Sequence, residues 1–208
     1  QYPRAAEYWK QLIAQFGPGH ENYRSQRLEQ IAGNWGLFET RLAQPAGKGA
    51  TIDFRFRNGQ QVEFEARAID VAKLLNDVKA YLRSNPRELD WQKLQIADIG
   101  HRIVQENQKQ YLGASVAKWT EQLKPRPQHF DKRVTIETPL KKAGAYWLTA
   151  RMQGGNTSHV IVWLADMAIV KKPLEGKAFY FVGDAVSGVP EARANVEFFG
   201  FLPVQDNK

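Results

Sequence analysis

The chain has 208 residues, of which 43% are hydrophobic and 12% aromatic, so it is long enough to bury a substantial core and form more than one structural unit. Its 29 Lys and Arg exceed its 22 Asp and Glu and give a net charge of +7, but the basic residues are scattered among acidic ones. This pattern favours a solvated surface over a nucleic-acid partner, with an anionic envelope polymer as the alternative. The absence of cysteine excludes disulfides, thiol nucleophiles and thiolate metal sites.

A helical pair is predicted over residues 4–33. Apolar residues recur there at helical spacing, at Ala6, Trp9, Leu12, Ile13 and Phe16. The sequence Gly17-Pro18-Gly19 interrupts the pattern, which then resumes and ends before Gly33. Such a pair is typical of the end of a helical-repeat array.

Three β segments follow, at residues 35–42, 50–58 and 61–69, and the last two meet at Asn58-Gly59. Asn-Gly between alternating runs usually indicates a two-residue hairpin, but here that register would place Phe54 opposite Glu63. Two alternatives restore an apolar face. A bulged three-residue loop would pair Phe54 with Phe64, or the chain would arch from one sheet to a facing sheet, as in a β-sandwich.

A helical insertion is predicted at about residues 70–124. Asp70 is a suitable N-cap for an amphipathic helix that ends near Asn85-Pro86. Residues 89–124 are also predicted to be helical, because apolar side chains recur at helical spacing, at Ile99, Ile103, Val104, Leu112, Val116, Trp119 and Leu123.

Strands are predicted again after Pro125, at 132–138, 144–152, 159–165 and 167–172, and a last pair at 178–183 and 195–201 brackets the loop DAVSGVPEARA. Because the β segments are joined by turns and do not alternate regularly with helices, the pattern favours an antiparallel sandwich over a parallel βαβ sheet. The predicted fold class is mixed and β-dominant, with a β-sandwich, a helical insertion and an N-terminal helical pair.

Five residues are predicted to shape the strands and turns. Gly144 opens a strand, and Tyr146 is suited to a tyrosine corner, in which the hydroxyl bonds to backbone upstream. In the later loop, Asp184 can accept backbone hydrogen bonds, Gly188 can turn the chain, and Pro190 can delay strand pairing.

No catalytic, metal or cofactor residues are predicted, and the chain is expected not to be an enzyme. The four histidines, His20, His101, His129 and His159, form no close ligand pair. Adjacent Ser158 and His159 would point to opposite faces of a strand. Of the six tryptophans, Trp91 and Trp147 are the candidates for an exposed interaction surface, either for sugars or for a neighbouring domain.

Three stretches together resemble the bacterial alpha-2-macroglobulin family. They are RLEQIAGNWGLFE followed by ATIDFRFRN and VEFEARAID; PLKKAGAYWLTA leading to VIVWLADMAIVKK; and AFYFVGDAVSGVPEARANVEFFG. The first is similar to the entry from a helical-repeat region into a macroglobulin-like sandwich. The third is similar to the start of a following sandwich of that type. The long helical stretch at 70–124 departs from a plain macroglobulin-like domain.

The resemblance implies three units: a helical pair at 1–33, a sandwich with its insertion at 34–174, and the opening strands of a second domain at 175–208. It also implies a non-catalytic scaffold in an extracytoplasmic protease-trapping protein of the periplasm or cell envelope. The expected partners are neighbouring domains and, through the whole protein, target proteases. Without cysteine the chain carries no thioester. The alternative is an envelope carbohydrate- or polyanion-binding module.

Two further expectations concern the chain as a whole. No apolar run approaches the roughly 20 residues that span a bilayer, so no direct membrane insertion is expected. The chain begins at Gln1 rather than methionine, so a processed or excised segment is expected.

Overall fold

The computed structural model describes residues 1–39, 43–96, 99–104, 106–200 and 202. Within these residues the α-helices are α1 (Tyr2–Phe16), α2 (Tyr23–Ala32), α3 (Val71–Arg83), α4 (Trp91–Leu94) and α5 (Ile99–Val104). The strands are β1 (Trp35–Glu39), β2 (Gln44–Pro45), β3 (Thr51–Arg57), β4 (Gln61–Ile69), β5 (Leu112–Gln122), β6 (Lys132–Glu137), β7 (Gly144–Met152), β8 (Thr157–Ala165), β9 (Met167–Leu174) and β10 (Lys177–Asp184).

The strands form a β-sandwich and a separate ribbon. A three-stranded sheet in the order β1-β3-β6 shares one core with a five-stranded sheet in the order β2-β8-β7-β4-β5. Strand pairs in both sheets are antiparallel, except that β2 runs parallel to β8. The prediction of a mixed, β-dominant antiparallel sandwich with helices is confirmed.

The Asn58-Gly59 junction is an arch between the two sheets. Strand β3 pairs with β1 and β6, whereas β4 pairs with β5 and β7. Asn58 has a φ of 61°, but Gly59 does not have the second positive φ that a type I′ hairpin needs. Of the two alternatives, the arch is therefore right, and each strand turns its apolar side inward independently.

The core between the two sheets centres on aromatic rings. Phe54 and Phe64 are each 1% exposed, and their ring centroids lie 5.5 Å apart in an edge-to-face arrangement. Phe38 meets Phe54 edge-on at 5.5 Å, and Trp119 stacks on Phe64 at 5.1 Å. Rings from β1, β3, β4 and β5 thus bind the two sheets together.

The helical insertion covers the outer face of the five-stranded sheet. Its apolar side chains form a second buried cluster with that face, composed of Ile69, Leu74, Ile99, Ile103, Tyr111, Ala145 and Trp147. Gly100 lets α5 approach closely, because a Cβ there would lie 3.2 Å from Ile161 Cδ1. The insertion is therefore a third layer packed on the sandwich.

The predicted helix over residues 89–124 is wrong in its second half. Residues Leu112–Gln122 form strand β5, which pairs with β4 along the edge of the five-stranded sheet. Ala117 and Trp119 turn toward the core with period two. The apolar spacing also fits a helix, but pairing with β4 overrides that local signal. The helical part of the insertion ends before residue 112.

The end of the chain also differs from the prediction. Strands β9 and β10 pair with each other throughout, from Met167 opposite Asp184 to Leu174 opposite Lys177. The expected boundary between residues 174 and 175 therefore falls within the turn of this ribbon. Residues 195–200 form no strand, so the predicted strand at 195–201 is wrong over that part, and residue 201 lies outside the described residues.

Candidate functional site

The tyrosine corner is present at the start of β7. The Tyr146 hydroxyl donates a 2.9 Å hydrogen bond to the backbone carbonyl of Lys142. Gly144 has a φ of 149°, a conformation that a side chain would strain. A Cβ at Gly144 would lie 3.7 Å from the Tyr146 hydroxyl oxygen and 3.8 Å from its ring. These two residues fix the entry into the central strand of the larger sheet.

Asp184 organises the loop after β10. Its Oδ1 accepts hydrogen bonds from the Ser187 hydroxyl and backbone N–H, both at 2.7 Å, and from Val186 N–H at 3.1 Å. The hydrogen bond from the Ser187 hydroxyl, followed by the one from its backbone N–H, lowers the pKa of Asp184 below its ordinary value. Gly188 has a φ of 70°, and Pro190 forms a bridge back to Gly183. The loop thus folds back on the end of the ribbon.

The β9–β10 ribbon exposes apolar side chains on both faces, beside Lys171 and Lys172. Consecutive side chains in a strand point to opposite faces, and here Ile169 is 59% and Val170 58% exposed. The same ribbon exposes Met167, Leu174 and Phe179. Strands with apolar residues on both faces are typical of strands covered on both sides. An isolated two-stranded ribbon is also marginally stable in water. The ribbon is therefore the strongest candidate interaction surface among the described residues.

The two tryptophans predicted as an interaction surface have different environments. Trp91 is 57% exposed at the start of α4. Trp147 does point away from Tyr146, but it is only 7% exposed because the insertion covers it. The prediction that Trp147 belongs to an exposed interaction surface is wrong. The helices that bury Trp147 lie elsewhere in the sequence, so the local pattern does not reveal them. Trp147 instead stacks on His159, with ring centroids 4.7 Å apart.

The environment of His159 predicts a pH-dependent stability. Burial of its ring, followed by the charge of Arg151, lowers the pKa of His159 below its ordinary 6.5. The unfolded chain therefore binds this proton more readily than the folded chain. We expect the free energy of unfolding to fall as the pH drops from 6.5 toward the lowered pKa, and to level off below it.

Urea unfolding between pH 8 and pH 5 checks this expectation. His159→Gln keeps a polar group near the Thr149 hydroxyl, which lies 3.1 Å from Nδ1, but cannot titrate. In the variant, the free energy of unfolding should fall less below pH 6.5 than it does in the wild type. Equal pH slopes for the wild type and H159Q would contradict the assignment.

A polar joint fixes the helical pair to the sandwich, and sequence reasoning missed it. The Asn58 amide donates to the carbonyls of Ile31 and Gly33 at 2.9 and 2.8 Å, and Arg57 donates to the Gln30 carbonyl at 2.7 Å. An open groove of about 790 Å³ lies beside this joint and is lined by Trp35 among others. The available signal was Asn58 itself, since Asn before Gly favours a turn and carbonyls at the end of a helix need donors such as a side-chain amide.

The residues considered for catalysis are not brought together. Ser158 is buried and its hydroxyl accepts a hydrogen bond from Phe38 N–H, while the His159 ring lies on the opposite face. Glu65, a carboxylate of β4 that could also be considered for catalysis, is paired with Arg151 at 3.1 Å and with Lys118 at 3.5 Å. Within the described ranges, no three His, Asp or Glu side chains cluster as metal ligands would. None of the described helices is both long and apolar enough to cross a membrane.

Comparison with known proteins finds similarity of structure. No protein-family model and no curated protein matches the sequence. A crystal structure of native alpha-2-macroglobulin from Escherichia coli spanning domains NIE-MG1 matches with a TM-score of 0.51 and 13% identity, over 76% of this chain and 73% of that one. This chain shares the fold of that alpha-2-macroglobulin region. The resemblance noted in the sequence is thereby confirmed at the level of fold.

Two larger structures of the E. coli protein also match over 76% of this chain. The crystal structure spanning MG0-NIE-MG1 gives a TM-score of 0.49 at 12% identity and is covered over 47% of its length. The cryo-EM structure of the native conformation gives 0.45 at 14% identity and is covered over 10%. The macroglobulin-like chain therefore spans about half of the first of these and a tenth of the second.

Proposed function

We propose that this chain is a non-catalytic scaffold segment of a bacterial alpha-2-macroglobulin-like protein, in which it contributes to protease trapping at the cell envelope. The single observation that carries the proposal is the β9–β10 ribbon, which extends from a macroglobulin-like fold and exposes apolar side chains on both faces. Its natural complement is the remainder of a second sandwich in the same polypeptide. In this proposal the second domain opens after Asp166, at the first strand of the ribbon.

The mechanical role follows from the construction of the segment. The sandwich has a dense aromatic core, and the joint at Asn58 holds the helical pair against it. Rigid units of this kind transmit a rearrangement through their interfaces, because packed cores do not deform continuously. Cleavage of the parent protein elsewhere would then reposition the domains that contact the ribbon. Extracytoplasmic location and partnership with target proteases belong to the same proposal.

Protease inhibition measured on two proteins tests the proposal. The 208-residue chain alone is expected to leave the activity of trypsin toward a protein substrate unchanged, since a scaffold segment cannot enclose an enzyme. The intact parent protein is expected to be cleaved and to retain the protease. Inhibition by the isolated chain, or a parent protein that neither is cleaved nor retains protease, would contradict it.

A pair of ribbon variants tests the predicted interface directly. Ile169→Lys and Val170→Lys place a charge on opposite faces of β9. In the 208-residue chain, where both side chains are exposed, each should change the free energy of unfolding by less than about 0.5 kcal/mol. In the intact parent each should lower stability by more than about 2 kcal/mol, the cost of burying an unpaired charge.

Val116→Lys is the matched control, because Val116 is an exposed valine in β5 outside the ribbon. This variant should leave the free energy of unfolding of both proteins nearly unchanged. Chemical denaturation followed by circular dichroism and tryptophan fluorescence gives the values. Ribbon variants that are as neutral in the parent as in the isolated chain would show that no domain covers the ribbon.

A further inference from the structure

Arg102 is a buried cation within the helical insertion. It is 4% exposed and shares the inward side of α5 with Ile99 and Ile103. Its guanidinium lies 5.5 Å from the centre of the Tyr111 ring, and Nε donates a 3.0 Å hydrogen bond to the Gln108 amide oxygen. Nη1 is buried and meets no acceptor among the described residues. A buried guanidinium whose N–H groups are not all paired is costly unless an anion compensates its charge.

Arg102 lines two cavities. One, of about 330 Å³, lies between α3, α4 and the segment after α5, and its wall includes Asp77, Tyr81, Lys93 and Tyr111. The other, of about 350 Å³, is lined by Gln92, Gln95, His101, Arg102 and Glu106. Cavities of this size accept a small ligand. Arg102 is the residue common to both.

The first cavity carries a surplus of positive charge. Lys93 Nζ lies 5.0 Å from the centre of the Tyr81 ring and 3.5 Å from the Asp90 carboxylate. Asp77 Oδ2 accepts from the Tyr111 hydroxyl at 2.9 Å and pairs with Lys73 at 3.1 Å. Among the charged side chains that line this cavity, Arg102 and Lys93 are positive and Asp77 is negative, and Asp77 already has a lysine partner. Glu106 lines the other cavity, where it accepts a hydrogen bond from Gln108.

We propose that the cavity beside α3 and α4 binds a small carboxylate through Arg102 and Lys93. One surplus positive charge matches a monoanion. The guanidinium is planar, and a carboxylate is the group that fits its fork of donors. A doubly charged phosphate would exceed the surplus, and the Asp77 carboxylate would repel it more strongly than a monoanion. The site involves neither the β9–β10 ribbon nor protease trapping.

Titration with sodium acetate at constant ionic strength, with chloride as the replaced anion, tests the site in the 208-residue chain. The NMR signals of the Arg102 side-chain N–H and the Tyr111 backbone amide should shift saturably. Arg102→Met, which keeps volume and removes the charge, should weaken acetate binding at least about tenfold, as expected for the loss of a charge-assisted hydrogen bond. Lys93→Gln should weaken it several-fold, and Lys118→Gln, on exposed β5, should not change it.

The variants separate binding from a purely structural role. Without acetate, R102M should fold with a melting temperature equal to or above that of the wild type, because a buried charge whose Nη1 meets no acceptor among the described residues has been removed. Because R102M can also disturb folding, K93Q is the decisive variant. The Lys93 side chain is 56% exposed, so its replacement should not disturb folding. Unchanged acetate affinity in K93Q would overturn the proposal. So would the absence of a saturable shift when acetate replaces chloride, or tighter binding of phosphate than of acetate.

Discussion

Replacing Phe54 by alanine is expected to lower the free energy of unfolding by about 3–5 kcal/mol, the range typical of buried Phe-to-Ala changes. Phe54 is 1% exposed and contacts the rings of Phe38 and Phe64 edge-on. Its removal leaves a cavity where the two sheets meet. The arch at Asn58-Gly59 prevents the strands from collapsing into it, since β3 and β4 are anchored in different sheets.

Urea denaturation of the 208-residue chain measures this effect. Phe179→Ala is the matched control, because Phe179 is an exposed ring on the β9–β10 ribbon. It should change stability by less than about 0.5 kcal/mol. If F54A and F179A cost the same, Phe54 is not at the centre of the core and the two-layer arrangement is wrong.

Replacing Trp147 by alanine is expected to cost a similar amount, about 3–5 kcal/mol, and to act on the other face of the five-stranded sheet. Trp147 belongs to the cluster that joins the insertion to that sheet. A Cβ at Gly100 would lie 3.6 Å from Trp147 Cζ3, so α5 rests almost directly on the indole. The variant should loosen α3 and α5 before it loosens the aromatic core.

Hydrogen exchange combined with urea denaturation checks this order. Amides of Val71–Arg83 and Ile99–Val104 should lose protection in W147A, while those of β3 and β4 keep theirs. Trp91→Ala is the control, because Trp91 is largely exposed and should cost about 0.5 kcal/mol or less. If W91A and W147A lose equal stability and equal amide protection, the insertion does not depend on Trp147.

Much of the sandwich was predictable because strand patterning is local. Alternation identified β3, β4 and β7, and the parity of residues around Asn58-Gly59 reduced the connection to two alternatives. To choose between these alternatives, one must know which strands pair with β3 and which pair with β4. Tyr146 and Asp184 could be singled out because their hydrogen bonds reach only a few residues along the chain, to Lys142 and to the loop after β10.

The candidate sites were less predictable. Arg102 shares a helix face with Ile99 and Ile103, at spacings of three and one residues, so a helical wheel of IGHRIV does signal a charge on the apolar side. The cavities that Arg102 lines are formed by α3, α4 and the chain after α5, and no local pattern specifies that these segments meet. The sequence likewise shows consecutive apolar residues in the ribbon, but it does not show that their side chains are exposed.

The sequence by itself determined which residues alternate, where the chain turns, and that strands dominate over helices. Tertiary structure decided which surface covers each apolar face. Leu112–Gln122 became a strand because β4 offered an edge with which to pair, Trp147 was buried because α5 lies on it, and Ile169 and Val170 stayed exposed because no described segment covers them. The physical reason is that periodicity is set by the geometry of one element, whereas burial depends on contacts between residues far apart in the chain.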